Sequence, residues 1–110
     1  MTTLYKVLGQ STPTANTVTT LYTVPSTANT VVSTLTVCNQ GGANAAISVA
    51  ICPANTAVTT SQYIVNTATV VANDTVFLTV GVTLATTDTI RVFSNIANVS
   101  FNAFGSEITP

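Results

Sequence analysis

Three observations in this 110-residue sequence predict an all-β fold, an antiparallel β-sandwich of about seven to nine short strands forming one domain over residues 1-110. Threonine supplies about two dozen residues and valine follows closely, and both β-branched side chains favour the extended backbone. The strong helix formers Glu, Lys and Arg are nearly absent, and no apolar period of 3.6 survives for more than a turn. Turn residues recur about every eight to twelve positions, the spacing of a sandwich. Ig-like and jelly-roll topologies both fit this pattern.

Alternation and punctuation place the strands in order. Thr3 to Leu8 ends at Gly9, Val18 to Val24 ends at Pro25, and Thr30 to Cys38 runs into the turn cluster Asn39, Gln40, Gly41 and Gly42. Ala46 to Cys52 stops at Pro53. After the loop Ala54 to Thr60 come a short strand around Gln62 to Val65 and another over Thr67 to Val71, broken by Asn73-Asp74. Val76 to Leu84 is the clearest run and ends at the turn Thr86-Thr87-Asp88. Thr89 to Ser94 and Val99 to Phe104 complete the series.

A period of two sorts side chains into faces. Leu35 and Val37 oppose Thr34, Thr36 and Cys38, while Ile47, Val49 and Ile51 oppose Ser48, Ala50 and Cys52. Val76, Leu78, Val80 and Val82 oppose Phe77, Thr79, Gly81 and Thr83. Ile90, Val92, Val99, Phe101 and Ala103 complete the expected core.

Charge is scarce: Lys6, Asp74, Asp88, Arg91 and Glu107 are the only charged side chains, and histidine and tryptophan are absent. Two cations cannot make the roughly six to ten phosphate contacts of a typical nucleic-acid binder, so no nucleic-acid partner is expected. A serine or cysteine hydrolase needs a base beside its nucleophile, usually the missing histidine. Asp74, Asp88 and Glu107 lie in separate parts of the chain with no motif joining them for paired-carboxylate catalysis. No enzyme activity, cofactor or catalytic residue is expected.

Apolar runs are broken every few positions by Thr, Ser or Asn, far short of the ~20 residues of a spanning helix, so no membrane partner is expected either. Met1 to Gly9 lacks the cationic start and apolar stretch of a secretory signal, which predicts synthesis in a cytoplasm without export by that route.

Cys38 and Cys52 flank the connection between the third and fourth strands. A hairpin turning near residue 45 would set them opposite one another, within reach of a disulfide. Nothing marks an oxidising compartment, which favours two small thiols at a partly covered surface. Two thiols without histidine cannot complete a tetrahedral set, so no metal site is expected.

Thr3-Leu4-Tyr5-Lys6-Val7 is echoed by Thr20-Leu21-Tyr22-Thr23-Val24, and Thr14-Ala15-Asn16-Thr17 by Thr27-Ala28-Asn29-Thr30. The two offsets differ, so these are read as coincidences of composition. Asn73-Asp74-Thr75 and Asn98-Val99-Ser100 match the glycosylation pattern, which matters only in a secreted eukaryotic protein. Thr34-Leu35-Thr36 and Thr67-Ala68-Thr69 lack the strict array of an ice-binding face. A carbohydrate-binding module is the better alternative binder, with Tyr5, Tyr22, Tyr63, Phe77 and Phe93 as the available rings.

Several phrases together resemble a family. Leu4-Tyr5-Lys6-Val7-Leu8-Gly9-Gln10-Ser11, Leu21-Tyr22-Thr23-Val24-Pro25, Val32-Ser33-Thr34-Leu35-Thr36-Val37-Cys38-Asn39, Ala72-Asn73-Asp74-Thr75 and Phe101-Asn102-Ala103-Phe104-Gly105-Ser106-Glu107-Ile108 resemble small virion structural proteins of tailed bacteriophages, cyanophage types included. The resemblance runs end to end. It departs at Ile47 to Pro53 and Gln62 to Val65, where such proteins often carry more Arg and Tyr.

The resemblance implies a head decoration or cement protein on a capsid, often trimeric, with a neck, tail or fibre subunit as the alternative. Expected partners are copies of the chain itself and the major capsid protein or another virion protein. The expected contact residues are the outward rings Tyr5, Tyr63, Phe77, Phe93 and Phe104, with the two terminal segments. A nearly uncharged surface suits this, since little long-range repulsion opposes close packing of many copies.

Overall fold

The alternating, threonine-rich runs form eight strands in a computed structural model that describes residues 1–110, the side chain of Val80 excepted. They are β1 (Thr2–Ser11), β2 (Thr19–Thr23), β3 (Asn29–Asn39), β4 (Ala45–Cys52), β5 (Tyr63–Val70), β6 (Thr75–Leu84), β7 (Thr89–Ser94) and β8 (Val99–Thr109). Two short 3-10 turns, Pro53–Asn55 and Thr60–Gln62, lie between β4 and β5.

The two strands expected between Gln62 and Val71 are one. Thr67 adopts a left-handed φ of 54° in the middle of β5, where the register against Ile47 and Val49 slips. Its N–H is donated to the Ser48 hydroxyl at 3.1 Å, so a bulge kinks the strand without ending it. Gly9 likewise is not a strand end. A Cβ at that position would stand 2.3 Å from the Leu21 carbonyl oxygen, so glycine is there to let β1 cross close to β2.

Strand order is β1-β8-β3-β6 in one antiparallel sheet and β2-β7-β4-β5 in the other. Every connection except that from β4 to β5 passes between the sheets. This is the path of a long two-stranded ribbon, folded once after β4 and rolled up, which pairs β1 with β8, β2 with β7, β3 with β6 and β4 with β5. The sandwich is therefore a jelly roll.

That topology overturns the hairpin expected around residue 45. Cys38 lies in β3 and Cys52 in β4, which belong to different sheets, and both thiols are free. The turn between them is organised by Asn39, fully buried, whose side-chain amide donates to the carbonyls of Ala43 (2.8 Å) and Val70 (3.0 Å) and whose Oδ1 accepts the Gly41 N–H. These bonds satisfy a polar group inside the molecule while they swing the chain from one sheet to the other.

Leu35, Val37, Ile47, Val49, Ile90, Val92, Val99, Phe101 and Ala103 fill the core as their alternation predicts, joined by Val24, Val32 and Val70. Ile51, Val76, Leu78 and Val82 pack against its margin. The side chain of Val80, also expected there, lies outside the described residues. Turns follow the Asn and Asp positions: Asn73 and Thr87 take left-handed φ values in turns closed by Asp74 N–H to Val71 C=O and Asp88 N–H to Ala85 C=O. Asn98 is left-handed as well, so both glycosylation-like asparagines are turn residues.

The echoed words take opposite roles. Thr3-Leu4-Tyr5 leaves Tyr5 86% exposed on an edge strand, whereas Thr20-Leu21-Tyr22 leaves Tyr22 only 8% exposed inside the sandwich. Thr14 to Thr17 forms a turn with Asn16 left-handed, while Thr27 to Thr30 leads into β3 and buries Thr30.

Candidate interaction surface

The two sheets differ in what covers their outer faces. On the β2-β7-β4-β5 sheet the outward residues of β4 are Ser48, Ala50 and Cys52, and all three are buried although they turn away from the core. The β5 bulge meets the Ser48 hydroxyl through Asn66 and Thr67, and the connection from residue 53 to 62 lies over the Cys52 end of the strand. Arg91, outward on β7, donates to the Thr56 carbonyl (2.8 Å) and to Asn55 Oδ1 (2.7 Å), and its guanidinium lies 3.7 Å from Cys52 Sγ.

Asp88 accepts the N–H of Ala54 and that of Ala85, each at 2.9 Å, which ties the start of the same connection to the β6–β7 turn. A capping box between Thr59 and Gln62 closes its far end. Two of the five charges are thus spent holding one loop over one sheet, and Cys52 is sealed beneath it instead of lying at a partly covered surface.

The β1-β8-β3-β6 sheet has no such cover. Registers place Tyr5 and Val7 of β1, Asn102, Phe104 and Ser106 of β8, Val31, Thr36 and Cys38 of β3, and Thr75, Phe77 and Thr79 of β6 on its outer side. Tyr5 is 86% and Phe77 70% exposed. Tyr5, Lys6, Val31, Ser33, Phe104, Gly105 and Ser106 surround a shallow hollow of about 350 Å³. Among the described residues no charged residue occupies an outward register position on this face, but the Lys6 side chain, 44% exposed, reaches the hollow from the edge strand.

The two charged residues of that sheet pair with each other, Glu107 buried and Lys6 exposed at the edge strand. Lys6 Nζ meets Glu107 Oε1 at 2.9 Å, the Tyr22 hydroxyl donates to Glu107 Oε2, and the Thr30 hydroxyl lies 2.8 Å from the Tyr22 oxygen. Glu107 is therefore a member of β8 facing the sandwich interior, 8% exposed, and is not a tail residue. Hydrogen bonds from Tyr22 and then Lys6 hold its carboxyl below the usual range, against the opposing effect of burial. Burial, reinforced by the Glu107 carboxylate, pushes the Tyr22 phenol up to about 12. Each polar atom of the group has a partner, so it works as a clamp linking β1, β2, β3 and β8.

Of the five rings expected at contacts, Tyr5, Phe77 and Phe104 share the bare face. Tyr63 and Phe93 lie half-buried on strands of the opposite sheet, so the five do not form one patch. The terminal segments pair with each other, Thr2 opposite Thr109, in the sheet that carries the bare face. Tyr22, one of the rings available to a sugar platform, points into the sandwich. Val7 and Val31 extend the bare face and escaped the sequence reading, though Val7 follows Tyr5 at the period-two spacing that marks one face.

Fold and surface together define a small jelly-roll module with one sheet partly covered by its own chain and the other left open. Comparison with protein-family profiles, curated proteins and solved structures returned no match.

Proposed function

We propose that this chain is a non-enzymatic virion structural protein, a capsid decoration or cement subunit of the tailed-phage kind, which stabilises a shell through subunit contacts. The observation that carries the reading is the open outer face of the β1-β8-β3-β6 sheet, whose outward register positions, among the described residues, hold no charge, beside a sister sheet partly covered by residues 53 to 62. Interface cores are depleted in charge and enriched in Tyr and Phe, which describes this face. Jelly rolls recur in viral capsids, as in lectins and cupins, and the fold supports the reading. The resemblance of the strand-and-turn phrases to small phage structural proteins points the same way.

Burial does the work. Each apolar Å² removed from water contributes about 25 cal/mol, and a subunit that binds only the assembled shell stabilises it by mass action. The test is mass spectrometry of phage particles from the producing host, banded by density and then split into heads and tails. The chain is expected in the head fraction at a copy number tied to the shell lattice. Finding it only in tails would shift the assignment to the neck, tail or fibre alternative, and its absence from banded particles would overturn the virion reading.

A further inference from the structure

We infer that the open face of the β1-β8-β3-β6 sheet binds a second copy of this chain across a two-fold axis, with Phe77 of each copy seated in the hollow lined by Tyr5, Val31, Ser33 and Phe104 of the other. The inference names the first partner of the surface used above and rests on that reading only in using the same face.

Size is the first argument. Four strands about 4.8 Å apart and roughly 33 Å long span roughly 600 Å² in projection. That approaches the ~800 Å² of accessible surface each partner gives to a standard contact. Covered from end to end, two such faces reach about 1,200 Å² in total, the lower end of the range for a specific contact.

Charge is the second. A two-fold contact sets a surface against itself, so any charged residue near the axis meets its own sign. The only charged side chains on these four strands, Lys6 and Glu107, are paired with each other, and Lys6, which borders the hollow, would face the partner copy's uncharged Phe77 ring and not a second Lys6. The face can meet itself without like-charge repulsion.

Shape is the third. Phe77, 70% exposed on edge strand β6, is flanked along the strand by the short side chains of Thr75 and Thr79, so its ring stands clear of the sheet. The hollow lies across the sheet from Phe77, lined by Tyr5 and Lys6 of β1, Phe104 to Ser106 of β8, and Val31 and Ser33 of β3. A protruding ring and an apolar-walled hollow at separate places on one face suit a reciprocal contact, in which residue i meets j and j meets i.

Sedimentation equilibrium of the full chain at tens of micromolar tests this. The wild type is expected at twice the 11.3 kDa chain mass. Phe77→Lys and Ser33→Glu are each expected to give monomer, the first because it brings a cation against Lys6 in the partner's hollow, the second because it buries a carboxylate under the Phe77 ring where the nearby cation, Lys6, is already paired with Glu107, while both sites are exposed in the single chain. The double variant pairs Lys with Glu twice across the axis and is expected to restore the dimer. Thr20→Lys, exposed on the other sheet, is expected to leave it intact.

Cys38 gives a second readout. It lies on the open face diagonal to Phe77, and Cys52 is buried, so Cys38 alkylation is expected to speed up in the Phe77→Lys variant. A wild-type monomer, a trimer, a dimer indifferent to Phe77→Lys, a dimer lost in Thr20→Lys, or a double variant that stays monomeric each overturns the inference. A monomer found in phage heads would overturn this contact and leave the virion reading standing. A charge-swappable dimer absent from particles would do the reverse.

Discussion

Replacing Tyr22 by Phe removes one oxygen and keeps the ring that fills the space between β2 and the opposite sheet. The lost hydroxyl donates to the Glu107 carboxylate and lies 2.8 Å from the Thr30 hydroxyl. A hydrogen bond to a charged group contributes about 1.5 to 3 kcal/mol and a neutral one about 1, so the substitution is expected to cost about 2 to 4 kcal/mol. That is a large share of the roughly 5 to 15 kcal/mol of an ordinary domain, and should lower Tm by about 10 °C or more. Urea unfolding at neutral pH measures it.

The pH dependence sharpens the test. Folding depresses the Glu107 pKa from its usual 4.5, so this stabilisation is complete above that value and drains away as pH falls through the lower folded value. Tyr22 is the leading cause of the depression and Lys6 the next, so the Phe variant should lose less stability on acidification than the wild type. A Tyr22→Phe protein within about 0.5 kcal/mol of wild type at neutral pH, or with an unchanged acid limb, would refute the clamp.

Other consequences follow from the same geometry. Tyr22 also works in the opposite direction: its pKa of about 12 means that stability is intact below pH 10 and is lost as pH rises toward 12, by up to about 2 to 3 kcal/mol, with phenolate absorbance tracking unfolding. Gly105→Ala would put a Cβ 2.0 Å from the Val31 carbonyl oxygen, so β8 and β3 must part; a loss of about 3 kcal/mol is expected from urea midpoints. Arg91→Ala removes the hydrogen bonds that hold residues 53 to 62 over Cys52, and the native protein should then expose two alkylatable thiols where the wild type offers Cys38 alone.

How much of this the sequence disclosed depends on the range of the interaction. Period-two alternation is local, and it correctly separated Leu35, Val37, Val92 and Phe101 from their outward neighbours. It also brought Tyr5 and Phe77 to the surface. Alternation does not say which sheet a strand joins. A hairpin and a sheet-to-sheet crossing can follow the same Asn-Gln-Gly-Gly turn, and Asn39 decides for the crossing only through bonds to Val70, distant in the chain.

The pairing of Lys6 with a buried Glu107 was hidden for the same reason. Lys6 sits at the first end of the chain and Glu107 at the other, and only the β1–β8 ladder makes them neighbours. Ser48, Ala50 and Cys52 present a small-residue pattern that reads as a surface face, yet they are buried, Ser48 against the β5 bulge and Cys52 beneath the loop that Arg91 holds. Gly9 and Gly105, which resemble turn residues in sequence, are sites of close backbone approach inside long strands.

The measurement that bears most directly on the account is a single-particle reconstruction of the assembled phage in which this chain is located. The account predicts a jelly roll on the head whose β1-β8-β3-β6 face is buried against a neighbouring protein, with Phe77 and Tyr5 removed from solvent. A head-bound chain presenting that face bare to solvent, or a particle that lacks the chain, would contradict it.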